Sequence, residues 1–430
     1  MGSRLLPRPA PTTKNLSNPI NLPKIRKWLA TICLSSLNFT TTFASSVFSS
    51  ASAPASYYFH VSEEAMVLGT SLFLCGFIEG SFIFGPLSEL YGRKTPLFCG
   101  FITFAIFQIP VAVAQKESEH PDCHAGGALA DMWSAQERGF AVPIFAGSLF
   151  GGPIFGPILG SFITQSSLGW RWTQWITLIM AATFGAIAFV AVPETYAAIL
   201  LTKRAKHLRH RTHDWALHSL QEEKEVTLED IGTRYLLRPT KMLFLEPILF
   251  LVTIYMAFVF GVIYLCFEAF PISFGEDRNW SPGVASLPFL SVLIGALLGC
   301  SLIGVTTRTR IAPDPSQGRM QEARLPLMAI GGIIAGAPVG FGLMLITLQG
   351  MNYIIDCYTL YANSALAANT SVRYALAAGF PLFASGMYHN LRVQWATSVV
   401  AFISLALVPV PVLFWRYGDK IRGMSRYVMT

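Results

Sequence analysis

Residues 247–267 read PILFLVTIYMAFVFGVIYLCF, twenty-one residues without an Asp, Glu, Lys or Arg. A helix rises 1.5 Å per residue and needs about 20 residues to cross the hydrocarbon of a bilayer. This stretch is long enough to span, and it lacks the alternation of a barrel strand. Similar charge-free runs lie between Trp28 and His60, Thr95 and Gln115, and Phe140 and Trp170. Others run from Trp172 to Val192, Ser281 to Thr307, Leu325 to Ile355 and Val393 to Trp415. Two less clean runs are Ala65 to Ser88, which holds Glu79, and Ala362 to Tyr388, which holds Arg373. The pattern predicts an all-α membrane protein with about ten transmembrane helices.

Composition agrees. Of 430 residues, 53% are hydrophobic and 13% charged, about half the charge of a soluble domain. The net charge of +7 reads as a basic rim against anionic lipid, with no nucleic-acid partner. Most of the seven cysteines fall in or beside apolar runs, and no disulfide framework is implied.

From Lys203 to Lys241 the chain is polar, with nine Lys and Arg. Two membrane halves joined by such a loop is the layout of repeat-built transporters. The expected organisation is a cytosolic tail over 1–25, an N-terminal bundle over 26–196, a cytosolic loop over 197–244, a C-terminal bundle over 245–416 and a cytosolic tail over 417–430. Within the loop Leu228, Ile231, Tyr235 and Leu236 recur at helical spacing, as in a short surface helix.

Several stretches carry a family resemblance. Gly85-Pro86-Leu87-Ser88-Glu89-Leu90-Tyr91-Gly92-Arg93-Lys94 resembles the signature loop between spans two and three of the major facilitator superfamily. Gly85, Glu89, Gly92, Arg93 and Lys94 are then the expected conformational latch, with Glu89 and Arg93 pairing at the cytosolic mouth. Gly151-Gly152-Pro153-Ile154-Phe155-Gly156-Pro157-Ile158-Leu159-Gly160 looks like the fifth-span motif of proton-coupled antiporters. Its Gly152, Pro153, Gly156, Pro157 and Gly160 suit close, kinked helix packing. Gly169-Trp170-Arg171-Trp172 and Pro193-Glu194-Thr195-Tyr196 are similar to the fungal multidrug and metabolite efflux branch. So are segments around Phe267, Gln349 and Ala362.

That family has twelve spans. The two missing ones are expected at Lys116–His124, where the family places a span with a coupling Arg, and around Gly331. Threading ten spans puts the basic central loop outside, against the positive-inside rule, and restoring a span in each gap returns it to the cytosol.

Ionisable groups inside spans are costly and are functional candidates. Glu79 could carry a proton, meet a cationic solute or pair with Arg373. Asn352, Tyr353, Asp356, Asn363 and Asn369 are further candidates for the transport path, although Asp356, like Glu268, sits at a span end. His207, His210, His213 and His218 drift around a helix too much to converge on a metal, so no metal site is expected. No cofactor or enzymatic motif is present.

The expected function is secondary active, proton-coupled efflux of small organic compounds (drugs, polyamines or a fungal secondary metabolite) by alternating access. A monomer in the plasma membrane is expected, with the vacuolar membrane as the alternative. Competing readings are a non-transporting membrane protein and a nutrient uptake carrier. Asn279, in Asn279-Trp280-Ser281, is the sequon placed in an outward loop.

Overall fold

The structure, a computed structural model, describes residues 4–5, 21–113, 132, 138–219, 222, 232–306, 339–358, 361–423 and 425. Its long helices are α1 (Lys24–Val47), α2 (Glu63–Leu90), α3 (Lys94–Val113), α4 (Arg138–Gln165), α5 (Arg171–Ala191) and α6 (Ala197–Thr212). After the central loop come α7 (Pro247–Phe270), α8 (Phe289–Thr306), α9 (Val339–Cys357), α10 (Ala362–Leu407) and α11 (Pro409–Gly423). Apart from a two-residue parallel pairing of Arg4–Leu5 with Leu217–His218, the described residues that adopt regular structure are helical.

Local chemistry sets the helix limits. Ser62 caps α2 by accepting the Ala65 N–H, and Glu63 and Glu64 occupy its first turn, favoured by the helix dipole. Pro247 opens α7 at a position where no N–H is needed. In α10 the backbone leaves helical geometry at Arg392 (φ 60°, ψ 156°), so two helices, 362–391 and 393–407, meet there.

Seven described segments are long and apolar enough to span, against the ten expected. The difference has physical causes. The segment Ala362–Phe414 contains the break at Arg392 and therefore holds more than one helix. Lys24–Val47 is a full-length helix whose hydroxyls and basic residues lower its hydropathy. The Leu325 to Ile355 run is described only from Val339 onward. Both expected gaps, at Lys116–His124 and around Gly331, lie outside the described residues. So do Leu228 and Ile231, whereas Tyr235 and Leu236 fall in a π-turn, Gly232–Leu237, that leads into helix Arg238–Leu245.

The helices form two sets. In the first, α1 packs on α4 and α5, and α3 on α5; in the second, α7 packs on α10, and α8 on α9. The sets meet through α2 against α10 and α4 against α8. One apolar core runs through this seam, and a second core, around Tyr255, Tyr353, Tyr358 and Phe414, belongs to the second set alone.

Helix directions follow from the contacts. On α4, Gly152 faces Thr42 and Phe43 of α1, and Gly156 faces Ser46 and Val47, so these two helices run parallel. Helices α3 and α5 run antiparallel, since Phe98 meets Phe189 and Phe101 meets Gly185. A tight turn at Gly169 (φ 77°) joins α4 to α5. Val113 and Arg138 therefore lie at opposite ends of the first set. By the same reasoning α8 and α9 run parallel, with Gly340 against Val292 and Gly299 against Met344, which places Thr306 and Val339 at opposite ends of the second.

Candidate transport site at the seam

Near the middles of their helices, Phe77 of α2, Phe260 and Tyr264 of α7 and Arg373 and Tyr374 of α10 meet. Phe77 stacks on Tyr374 across the seam, with centroids 4.6 Å apart and planes within 6°. Phe150 of α4 meets Phe260 at 6.0 Å, and Phe260 meets Tyr374 edge-on at 5.4 Å. The Ser45 hydroxyl of α1 lies 3.1 Å from the Tyr264 hydroxyl. Five helices of the two sets thus close around one aromatic layer.

Arg373 sits inside that layer at 2% exposure. Its guanidinium lies 4.8 Å from the Phe260 centroid and 5.3 Å from that of Tyr374. Its Nε and Nη1 have no hydrogen-bond partner, and among the described residues it pairs with no carboxylate. A cation at the middle of a membrane helix costs about 2.5–3.5 kcal/mol on insertion scales. Cation–π contact returns about 2 kcal/mol or more when desolvated but gives Nε and Nη1 no acceptor.

The other sequence candidates are dispersed. Glu79 is exposed and stands about 200° around α2 from Phe77 (two residues on), turned away from Arg373. Asn369 lies between α7 and α10 and donates to Thr253 Oγ1 at 3.2 Å. Tyr353 is buried in the core of the second set beside Phe414, and Asn352 and Asp356 are half-buried on the same final turns of α9. Asn363 is exposed at the start of α10. Asn279 is exposed in a left-handed backbone conformation (φ 56°) before the helix Pro282–Ala285.

At the end of the bundle where α2 gives way to α3, the expected latch residues are organised by a residue read only as part of a resemblance. Glu194, just beyond α5, accepts backbone N–H groups with both carboxylate oxygens. Oε1 takes those of Arg93, Thr195 and Tyr196, each at 2.9 Å, and Oε2 takes that of Lys94 at 3.2 Å. The carboxylate thereby caps α3 and ties it to α5. Arg93 donates to Ser88 Oγ at 2.7 Å and stacks on Tyr196, while Lys94 donates to the Phe189 carbonyl at 2.8 Å. The Glu89 side chain lies outside the described residues, so its pairing with Arg93 has no geometry here. Gly92 has φ 93°, and a Cβ there would come 2.8 Å from the Glu194 carboxyl carbon. Gly85 has open space around it.

Sequence reasoning missed Glu194 because a carboxylate that bonds backbone N–H groups a hundred residues away leaves no local pattern. Replacing it with Ala strands four donors and should lower stability by about 2 kcal/mol. Thermal unfolding of the purified protein checks this, with Glu194→Asp as the partial rescue; an unchanged midpoint in Glu194→Ala contradicts the capping role.

The fifth-span motif does what small residues suggest. Thr42, Ser46 and Ser50 of α1 and the turn after it, spaced by four, donate to the α4 carbonyls of Ser148 (3.3 Å), Gly152 (3.1 Å) and Pro157 (3.0 Å). Prolines at 153 and 157 leave the Leu149 and Pro153 carbonyls without their helical N–H partners, whereas these hydroxyls bond neighbouring α4 carbonyls and tie α1 to α4.

Comparison with known proteins agrees with this architecture. The profile described as Major Facilitator Superfamily matches residues 125–407, and that described as Sugar (and other) transporter matches residues 27–126. The citrinin biosynthesis cluster MFS transporter mrr1 of Monascus ruber is 48% identical over 447 aligned residues, covering 95% of this chain and 90% of that protein. The ascochitine biosynthesis cluster MFS transporter of Didymella fabae is 46% identical over 449, covering 95% and 87%. Both aligned lengths exceed the 430 residues here, so the relatives carry residues within the matched region that this chain lacks. The human organic anion transporter MFSD10 shares the fold, with a TM-score of 0.57 at 15% identity over 92% of this chain and all of that one. This chain belongs to the major facilitator superfamily. It is a multi-pass membrane protein and a secondary transporter of small organic compounds, in a family of carriers rather than enzymes.

Proposed function

We propose that this protein exports a small organic metabolite in exchange for protons, by rocking its two helix sets about the seam at Arg373. The observation that carries the reading is the position of that cation, buried at mid-helix where α2 and α10 meet. Alternating access needs a site at the midplane between two bodies, and the ring contacts of this seam, the Ser45–Tyr264 hydroxyl pair apart, carry no directional bond that must break as the sets part. Relatives named for metabolite clusters, and the close α1–α4 packing of the fifth-span motif, support efflux over uptake. In this reading Glu79 carries the proton, and the protein works as a monomer in the plasma membrane. The division into bundles at 26–196 and 245–416, with the tails at 1–25 and 417–430 and the loop at 197–244 in the cytosol, goes with it.

The test is expression in a drug-sensitive yeast with fluorescent organic substrates. Export that stops when a protonophore collapses the gradient is expected; export that persists without the gradient overturns proton coupling.

Asn279 then faces the exterior. A glycosidase-sensitive mass shift that disappears in Asn279→Gln is expected. Labelling of a Cys placed at 279 only from the cytosolic side contradicts that placement.

A second reading has its own support. Val113 and Arg138 lie at opposite ends of the bundle, yet residues 114–137 include Lys116, Glu117, Glu119, Asp122, Asp131 and Glu137. So charged a stretch makes no lipid span. Together with the longer aligned lengths of the relatives, this favours a chain that has lost two spans, one in each half, and transports weakly or not at all. The exposure of Glu79 is what loss of a neighbouring helix leaves behind.

A further inference from the structure

Resting on the transporter reading of the seam, we infer that Arg373 is the recognition point for the negative group of an aromatic organic anion. The argument starts from what Arg373 lacks. It is enclosed at 2% exposure, away from both ends of its helix, with Nε and Nη1 unpartnered. Buried charges in proteins are ordinarily paired, because an unpaired one forfeits its hydration for nothing. Glu79 is turned away, and no other described carboxylate pairs with the guanidinium. Among the described residues that partner is missing, and its place is assigned to an acceptor that arrives from outside the protein.

The walls say what accompanies that acceptor. The rings around Arg373 and its neighbour Tyr374 are those of Phe77, Phe260 and Tyr374 itself. Phe77 lies flat on Tyr374 across the seam, and that stack joins one helix set to the other. When the sets part, Phe77 leaves a flat ring face beside a guanidinium with two free donors. A planar conjugated ring bearing a carboxylate or phenolate matches that pair: the ring replaces Phe77 on Tyr374, and the anion takes Nε or Nη1. A cationic solute would meet a like charge in a site of low dielectric, and a neutral one would leave the guanidinium unpaired.

The test is binding to the purified full chain in nanodiscs, with 2-naphthoate and its neutral isostere 2-naphthamide as probes. The naphthoate should bind tighter by about tenfold or more, the range of one charge-assisted hydrogen bond. Arg373→Met should erase the preference while raising the thermal midpoint of the empty protein, since it replaces an unpaired charge with a packed apolar chain. Arg373→Lys should keep the preference in weakened form, showing that the site still folds. Equal binding of the two probes, no binding of either, or an undiminished preference in Arg373→Met overturns the inference. So does a lowered midpoint in Arg373→Met, which would make Arg373 a structural staple on Phe260. Gradient-dependent export of cationic or neutral dyes alone would sink anion recognition and leave the efflux reading standing.

Discussion

Gly156→Leu should abolish transport and leave little protein correctly assembled in the membrane, whereas Gly147→Leu, nine residues earlier on α4, should be tolerated. A Cβ at 156 would collide with the Ser46 hydroxyl and come 2.9 Å from the Val47 backbone nitrogen. At Gly152 it would come 2.5 Å from the Phe43 nitrogen. A flexible side chain can move out of the way, but a helix backbone cannot. The helices would have to separate, which breaks the bonds from Thr42, Ser46 and Ser50 to the α4 carbonyls. Overpacking costs about 1–3 kcal/mol in a core that can adjust, and several lost hydrogen bonds in a prolyl helix add to it. That sum approaches the about 5–15 kcal/mol by which whole proteins are stable. Nothing lies within 4 Å of a Cβ at Gly147, so that position controls for leucine on the same helix. Surface expression and size-exclusion profiles of the two variants give the comparison; equal profiles would mean that α1 and α4 do not pack as closely as described.

The second large effect concerns the chain itself. Inserting one apolar span between Val113 and Arg138, and one between Thr306 and Val339, should raise insertion and export severalfold or more over the 430-residue form. The antiparallel α3–α5 pair with the turn at Gly169, and the parallel α8–α9 pair, put the two residues of each pair at opposite ends of their set, so each interval has a membrane to cross. The first interval carries six charges, and a charge at the bilayer centre costs about 2.5–3.5 kcal/mol on insertion scales. Without those crossings the basic loop from Lys203 to Lys241 is threaded to the side that the positive-inside rule disfavours. Protease protection of the loop reports its side, and efflux reports activity. Equal insertion and equal gradient-dependent export by the short form would show that the intervals cross unaided.

Much of this architecture was legible in the sequence because bilayer thickness imposes a length on apolar runs. The helices α1 to α5 and α7 to α10 fall on the apolar runs, α2 and α10 on the two that hold a charge, and Gly152 and Gly156 pack as small residues at that spacing suggest. Composition alone was a poorer guide at α1, whose Ser and Thr ladder lowers its hydropathy while serving α4. The site was less legible. Arg373 stood out as an intramembrane charge, but its aromatic walls come from helices over a hundred residues away, and a Phe in an apolar run carries no mark of which side it faces. Glu79 stood out for the same reason as Arg373, yet the helical turn directs it away. Glu194 was hidden because its partners are backbone groups, which every residue has.

The central claim, that the seam at Arg373 moves a metabolite in exchange for protons, is tested most directly in proteoliposomes. The purified chain, with and without the two restored spans, is sealed into vesicles carrying an imposed pH gradient, and 2-naphthoate uptake is followed with time. The account predicts uphill accumulation by the restored form that reverses when the gradient is reversed and is lost in Arg373→Met. Accumulation indifferent to the gradient, or undiminished in Arg373→Met, would contradict it.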